Sequence, residues 1–405
     1  MLNTIELFAG CGGLLDGFKQ TNKYNLLAAV EWQKAQVNTL IERLKSKYNT
    51  KDANEKVFYF DIQRTDELIY GWKDDEIYSS SKGIDHQIAG QNVDVITGGP
   101  PCQAYSIAGR IRDQNGMKDD YRNFLFESYI SIVAHYKPKI IVFENVEGIL
   151  SAIPTGEKIT DLIKQGFDKV GYEIIDNLRD NALFDLSEFG IPQKRKRVII
   201  IGVRRDNINI NYQGELKYFY SLLSEYKVSK ISTVYDAIGD LPAIYPLDTP
   251  LNKIAYLNES NINAHQARFH NKRDQEIFFE LAKDIETGSF KYTSTEALIQ
   301  LYYEKTGKKS NVHKYHVLRW NEPSNTIPTH LKKDGLRHIH PDSRQKRSIT
   351  VREAARLQTF DDDFRFNSSM VSNFEMIGNA VPPKFAKILA NVVYDFFNYL
   401  NEKES

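Results

Sequence analysis

The chain has 405 residues, 41% of them hydrophobic and 26% charged, with 53 basic side chains balanced by 53 acidic ones. This is the make-up of a globular protein of two domains, or of one large domain with an insertion, and no run approaches the ~18 apolar residues of a membrane span. Two cysteines cannot build a disulfide framework, and the N-terminus enters a strand without a basic signal region, so a reducing cytoplasm is the expected compartment.

A net charge of zero argues mildly against a nucleic-acid partner unless the charge is locally clustered. Nine histidines and two cysteines show no metal-ligand spacing, and no metal is expected; His338-x-His340 reads as a solvated loop.

Thr4-Ile5-Glu6-Leu7-Phe8 predicts a first strand, running into Ala9-Gly10-Cys11-Gly12-Gly13 and a helix over about 14–19. A glycine turn between strand and helix lets backbone amides approach a ligand closely. The spacing is not G-x-G-x-x-G, and a plain βα turn is the competing reading. A second strand, 25–30, ends at Glu31-Trp32. Glu31 lies 21 residues beyond Gly10, about where an acid at a strand tip meets ribose hydroxyls, and Trp32 offers a face for a purine. A third run, Val57-Phe58-Tyr59-Phe60, ends at Asp61. Glycines, an acid with an aromatic, and a further acid at three strand tips suit a nucleoside with two hydroxyls and a base. Residues 73–92, with Ser79-Ser80-Ser81, read as a mobile surface insertion.

Residues 93–97 form a short apolar run that predicts a buried strand. Gly98-Gly99 stops it, permitting backbone angles closed to other residues, and Pro100-Pro101 stiffens the corner. Cys102 follows directly. A lone cysteine is commonly a small buried hydrophobe; at the end of a parallel-type strand, where open α/β sheets place their ligands, it is also a candidate nucleophile. The polar stretch 109–121, with Gly109 and Gly116, suits a loop able to move. A helix over about 122–136 precedes another buried strand, 139–143, which ends at Glu144-Asn145-Val146. A carboxyl there is partly desolvated, which favours its neutral form and an acid's role near neutral pH; a helix N-cap is the competing role for Glu144.

Gln193-Lys194-Arg195-Lys196-Arg197 leads straight into the strand 198–202, so alternation aims Arg195 and Arg197 the same way, as an anionic group would require. From about 206 to 345 strand–helix alternation is lost and aromatics mix with charges, marking a second domain. Lys332, Lys333, Arg337, Arg344, Lys346 and Arg347 form a basic patch within it, suited to phosphates. Thr350 and Glu353 are spaced as a capping box at the start of a helix. After Ile377-Gly378-Asn379-Ala380-Val381-Pro382-Pro383, the residues Phe385, Ile388, Leu389, Val392, Phe396 and Leu400 repeat at helical spacing, which predicts a docked C-terminal helix.

These segments, in this order, resemble the cytosine carbon-5 DNA methyltransferase family. The resemblance is carried by Glu6-Leu7-Phe8-Ala9-Gly10-Cys11-Gly12-Gly13, Gly99-Pro100-Pro101-Cys102-Gln103, Glu144-Asn145-Val146, Gln193-Lys194-Arg195-Lys196-Arg197, Arg352-Glu353-x-x-Arg356-Leu357-Gln358 and Gly378-Asn379-Ala380-Val381-Pro382. It implies an α/β fold: a Rossmann-like sheet binding S-adenosyl-L-methionine, with S-adenosyl-L-homocysteine as product, and a smaller target-recognition domain. The domains are then 1–205, catalytic and cofactor-binding; 206–374, DNA-reading; and 375–405, a C-terminal helix packing back on the first. The lack of a long N-terminal regulatory region resembles the bacterial restriction–modification type, whose partners are double-stranded DNA and, acting separately, a cognate endonuclease. A monomer is the default.

The resemblance also implies roles. Phe8, Gly10, Cys11, Gly12, Gly13, Glu31, Trp32, Asp61, Ile62, Pro101, Leu125, Asn379 and Ala380 would line the cofactor. Cys102 would be the nucleophile, Glu144 the acid, and Arg195 and Arg197 the active-site cations, with Arg195 the candidate for raising the thiolate fraction. Ser106, on the 103–121 loop, and Lys332, Lys333, Arg337 and Arg344 would meet DNA. Two relatives of the reading stay open. A tRNA cytosine-5 methyltransferase of this family would carry a further cysteine in a Cys-Phe-Thr motif, and this chain has only two cysteines. A silent DNA-binding relative would be expected to have lost Cys102 or Glu144.

Overall fold

The computed structural model describes residues 1–101, 125–153, 156–251, 253–257 and 259–404. Cys102, Ser106 and the 103–121 loop lie outside the described residues. The chain forms two compact units: Met1–Phe189 with Lys196–Val228 and Val381–Ser405, and Gly190–Arg195 with Ser229–Ala380.

The first unit is built on a twisted sheet. Its strands are β1 (Leu2–Leu7), β2 (Tyr24–Glu31), β3 (Val57–Tyr59), β6 (Val95–Gly98), β7 (Ile140–Val146), β8 (Tyr172–Ile174), β9 (Leu183–Asp185) and β10 (Lys196–Arg204). The order is β3-β2-β1-β6-β7-β10-β8, with β9 beside β10. The five strands from β3 to β7 are parallel, and β10 runs antiparallel to β7. Helices cover parallel strands, so the strands are apolar on both faces: Ile140, Ile141, Val142 and Phe143 are all fully buried. From β1 the chain winds outward to β2 and β3, then returns to β6 on the other side of β1. The reversal leaves a crevice outside the C-terminal ends of β1 and β6, the place where open α/β sheets bind ligands.

Residues 73–92 depart from the expected mobile insertion. They form β4 (Trp72–Asp75) and β5 (Ser79–Ser81), an antiparallel pair, followed by the helix Gly83–Ile88. Trp72 stacks on Phe60 with ring centroids 3.8 Å apart, and Asp75 accepts the Ile77 and Tyr78 amides. These tertiary and turn contacts override a polar local composition.

The domain boundary also differs from the expected 206. The helix Tyr212–Ser224 belongs to the first unit because it buries Leu216, Phe219 and Leu223 there. Its Tyr220 hydroxyl donates to Ile199 O and accepts from the Ile201 amide on β10. At the other end the division falls after Ala380, not before residue 375. The helix Met370–Asn379 stays with the second unit, where a Cβ on Gly378 would lie 2.5 Å from Thr329 N. The C-terminal helix, Pro383–Glu404, returns to the first unit and buries Phe385, Leu389, Val392, Phe396 and Leu400, each worth about 1.5–3 kcal/mol of transfer. It packs so closely on the helix Gly13–Lys19 that a Cβ on Gly17 would lie 2.4 Å from Ala386 Cβ.

The second unit has its own core, in which Ile277, Phe278, Leu281, Leu298, Leu301 and Ile339 pack together. The predicted capping box is present, with Thr350 and Glu353 each accepting from the other's backbone amide. No described helix is long and apolar enough to cross a membrane.

Candidate active site

Strand ends of the first unit carry most of the residues singled out in the sequence. After β1, Gly10 and Gly12 take left-handed conformations, with φ of 59° and 93°. Gly12 is doubly required, because a Cβ there would also lie 2.6 Å from Leu40 Cδ1. Phe8, which is not a glycine, is held at φ 54°. Cys11 is buried inside this turn, where burial pushes its thiol well above the ordinary range. Gly13 starts the helix that follows.

Glu31 ends β2 and closes the same turn. One carboxylate oxygen accepts the Gly10 amide at 2.9 Å and the other accepts the Gln33 amide at 2.8 Å. The residue is 5% exposed, and burial pushes its carboxyl up to about 7. The Trp32 amide also donates to this carboxylate, and of its roughly four lone-pair sites one remains for a hydroxyl. Trp32 beside it is 48% exposed, an open aromatic face. Beyond β3, Asp61 is half-buried and accepts the Gln63 amide at 3.0 Å, while Ile62 is buried. Leu125, at the start of the helix Leu125–Tyr136, is also buried.

Gly98 and Gly99 do not take left-handed angles. They are glycine because of crowding: a Cβ on Gly98 would lie 2.5 Å from Leu7 O, and one on Gly99 would lie 2.6 Å from Glu144 Oε2. Pro101, the last residue described before Cys102, is half-buried. Asn145 ties this corner to β7, since its Nδ2 donates to Pro100 O at 3.2 Å and its Oδ1 accepts the Val146 amide.

Glu144 stands inside β7 and so is not a helix N-cap. It is 9% exposed, and Arg197 Nε lies 2.6 Å from its Oε1. The register explains the pair. Glu144 faces Ile199 across the antiparallel ladder, which makes Arg197, two residues earlier, a diagonal neighbour on the same face. The expectation for Glu144 considered burial alone; the structure adds a guanidinium.

Arg195 does not share that partner. It precedes β10 and belongs to the second unit. There it is 1% exposed and its guanidinium donates to Ile327 O, Gly378 O and Ala380 O at 3.1, 3.0 and 3.1 Å. Strand alternation therefore does not carry back through Lys196 to aim both arginines at one anion. Gln193 and Gln358, which no sequence argument assigned a role, complete the arrangement. Gln193 Nε2 donates to Gln358 Oε1, and Gln358 Nε2 donates to Ala380 O, both at 2.5 Å. Their legible signal was membership of two of the six short stretches. Asn379, the last residue of its helix, is exposed.

The basic patch is divided by the fold. Arg347 is 1% exposed and forms a bidentate pair with Glu353 at 2.7 Å through each nitrogen, so it is unavailable to phosphates. Lys332 pairs with Glu375 and Arg344 with Asp342, while Lys333 and Arg337 are exposed. His338 and His340, expected in a solvated loop, are buried, and burial holds both imidazoles down at about 3. No cluster of potential metal ligands occurs among the described residues.

Comparison with known proteins follows the same lines. The family model described as C-5 cytosine-specific DNA methylase matches residues 2–395. The type II methyltransferase M.Bpa9945I of Bacillus paralicheniformis is 37% identical over 331 residues, covering 76% of this chain and 71% of that protein. The type II methyltransferase M.DdeI of Desulfomicrobium norvegicum is 30% identical over 423 residues, covering 99% and 90%. Among solved structures, a prophage-encoded E. coli protein described as a DNA modification methyltransferase superposes with a TM-score of 0.64 at 24% identity, covering 98% of this chain and all (100%) of that one. S. pombe Dnmt2 methyltransferase superposes with a TM-score of 0.56 at 14% identity, covering 99% and 100%. At these identities the two structures speak to the fold alone.

Proposed function

The chain belongs to the C-5 cytosine-specific DNA methylase family, and on that premise we propose that it methylates carbon 5 of a cytosine flipped out of a specific duplex site, through a transient bond to Cys102. The observation that carries this reading is the Glu144–Arg197 pair at 2.6 Å, set beside Gly99 three residues before Cys102. A ring carbon with little nucleophilic character needs an activating addition. The Cys102 thiolate adds to carbon 6 and makes carbon 5 enamine-like, while Glu144 protonates or hydrogen-bonds ring nitrogen 3, where charge develops only during addition. Arg197 holds the Glu144 carboxylate in place. With the methyl group on carbon 5, loss of that carbon's proton to solvent, cleavage of the carbon 6–sulfur bond to release the thiolate, and return of the nitrogen-3 proton to Glu144 restore the ring.

The first unit's strand ends fit S-adenosylmethionine: a glycine turn with left-handed Gly10 and Gly12, the latter with no room for a Cβ, a buried acid with acceptor capacity to spare, and an open tryptophan face. Bound there, the cofactor supplies the methyl group on a sulfonium. Phe8, Gly10, Glu31, Trp32, Asp61 and Ile62 hold it. The second unit reads the DNA, and the exposed Lys333 and Arg337 are its candidates for phosphate contact. Flipping costs a few kcal/mol, which phosphate contacts offset. In a cell the product protects host DNA against a cognate endonuclease.

Bisulfite sequencing of DNA from cells expressing the wild-type chain or Cys102→Ala tests the reading. Wild type is expected to leave methylated cytosines in one sequence context and Cys102→Ala none. Unmodified DNA from wild type, or equal modification by the variant, defeats it.

A further inference from the structure

We propose that Gly99 is a positioning residue for Glu144: the side chain it lacks is the space in which the second oxygen of that carboxylate sits. The inference rests on the chemical role given to Glu144 above. Parallel pairing sets Gly98 opposite Phe143, so the next residues outward, Gly99 and Glu144, are neighbours at the sheet edge. A Cβ built on Gly99 would lie 2.6 Å from Glu144 Oε2, 3.4 Å from its backbone oxygen and 3.7 Å from Cδ. Gly99 has no left-handed φ, so conformational freedom does not account for the glycine. The conflict is almost wholly with the carboxylate.

Nor can the carboxylate easily give way. Its Oε1 is anchored by Arg197 at 2.6 Å, and β7 is held on one side by β6 and on the other by β10. The two oxygens therefore have separate duties. Oε1 answers to Arg197, and Oε2 lies over the backbone from which Cys102 follows. A methyl group at 99 displaces Oε2, or turns the carboxylate off Arg197, and so misplaces a proton donor.

The test is a double-variant cycle read by single-turnover methyl transfer and by thermal unfolding. Gly99→Ala is expected to lower the transfer rate by about 10²-fold, the low end for losing a general acid. KM for DNA and for S-adenosylmethionine should stay within about threefold, because the lost interaction belongs to the transition state. In Glu144→Ala protein, where the carboxylate is gone, the same substitution should change neither the residual rate nor the melting midpoint. The melting arm needs no catalysis, so it judges the contact even if Glu144 has another chemical role. If Gly99→Ala alone does not fold, a folded Gly99→Ala/Glu144→Ala protein upholds the contact, and a double variant that also fails to fold overturns it. Equal losses in both backgrounds, or a full rate in Gly99→Ala, likewise overturn it.

Discussion

Replacing Arg195 by methionine separates two uses of a buried guanidinium. The side chain is 1% exposed and donates to three carbonyls, those of Ile327, Gly378 and Ala380. Methionine fills much of the volume and donates nothing. Ala380 O would keep its bond from Gln358 Nε2, so two carbonyls lose this donor outright. At about 1–3 kcal/mol for each buried acceptor left short, the loss is about 2–6 kcal/mol. Urea unfolding followed by fluorescence should show it as a lower midpoint with an unchanged slope. Arg195→Lys, a point charge without the planar fork, should fall between wild type and methionine. A methionine variant within about 0.5 kcal/mol of wild type that nonetheless loses methyl transfer would refute this account. It would return Arg195 to the role of an active-site cation.

Two further outcomes are expected. Glu31→Ala, which removes the acceptor of the Gly10 and Gln33 amides, should weaken S-adenosylmethionine binding at least about tenfold, or 1.4 kcal/mol, while DNA affinity by gel shift changes little; calorimetry giving an unchanged cofactor affinity counts against it. Glu6, buried between the Leu15 amide and the Thr97 hydroxyl, has its carboxyl pushed by burial from 4.5 up to about 8. Between those pH values the folded protein keeps a proton the unfolded chain gives up, so wild-type stability falls as pH rises, by at most about 1.4 kcal/mol per unit. Glu6→Gln cannot ionise and should gain on wild type from pH 5 to pH 8.5, and a constant difference in urea midpoints would contradict the buried titration.

The first unit was legible because its signals are local. A strand followed by a glycine turn needs only neighbours in sequence, and β1, β2, β6 and β7 fall within a few residues of expectation. The helix Tyr212–Ser224 lies beyond the expected boundary at 206 yet in the first unit, because Phe396, which it packs on, is remote in sequence. Arg347 looked like a phosphate ligand because charge density was visible and its buried partner Glu353 was not. Gly99 reads in the sequence as a residue of backbone freedom, because a neighbour 45 positions later, Glu144, cannot be read from composition. In each case a tertiary contact, not a propensity, decided the outcome.

The order of the motifs along the chain has a topological cause. In-register pairing of Leu7 with Val30 and Gly98, of Gly98 with Phe143, and of Phe143 with Ile200 places the next positions in one row: Glu31, Phe8, Gly99, Glu144 and Ile199. Parallel strands reach that row at their C-terminal ends, so their functional residues follow a strand or close it. β10 runs the other way and arrives at the same edge with its beginning. Its contribution, Arg197, must therefore lie at the start of a strand, and Gln193-Lys194-Arg195-Lys196-Arg197 is the stretch that leads into one instead of out of one. A charged segment ahead of a buried strand, where the other strand-borne site residues close a strand or follow one, is the mark of an antiparallel strand. The same geometry limits the reach of the motif: only the residue paired on the ladder's face, Arg197, is carried to Glu144, and Arg195, one step outside the strand, is left to brace the segment 378–380.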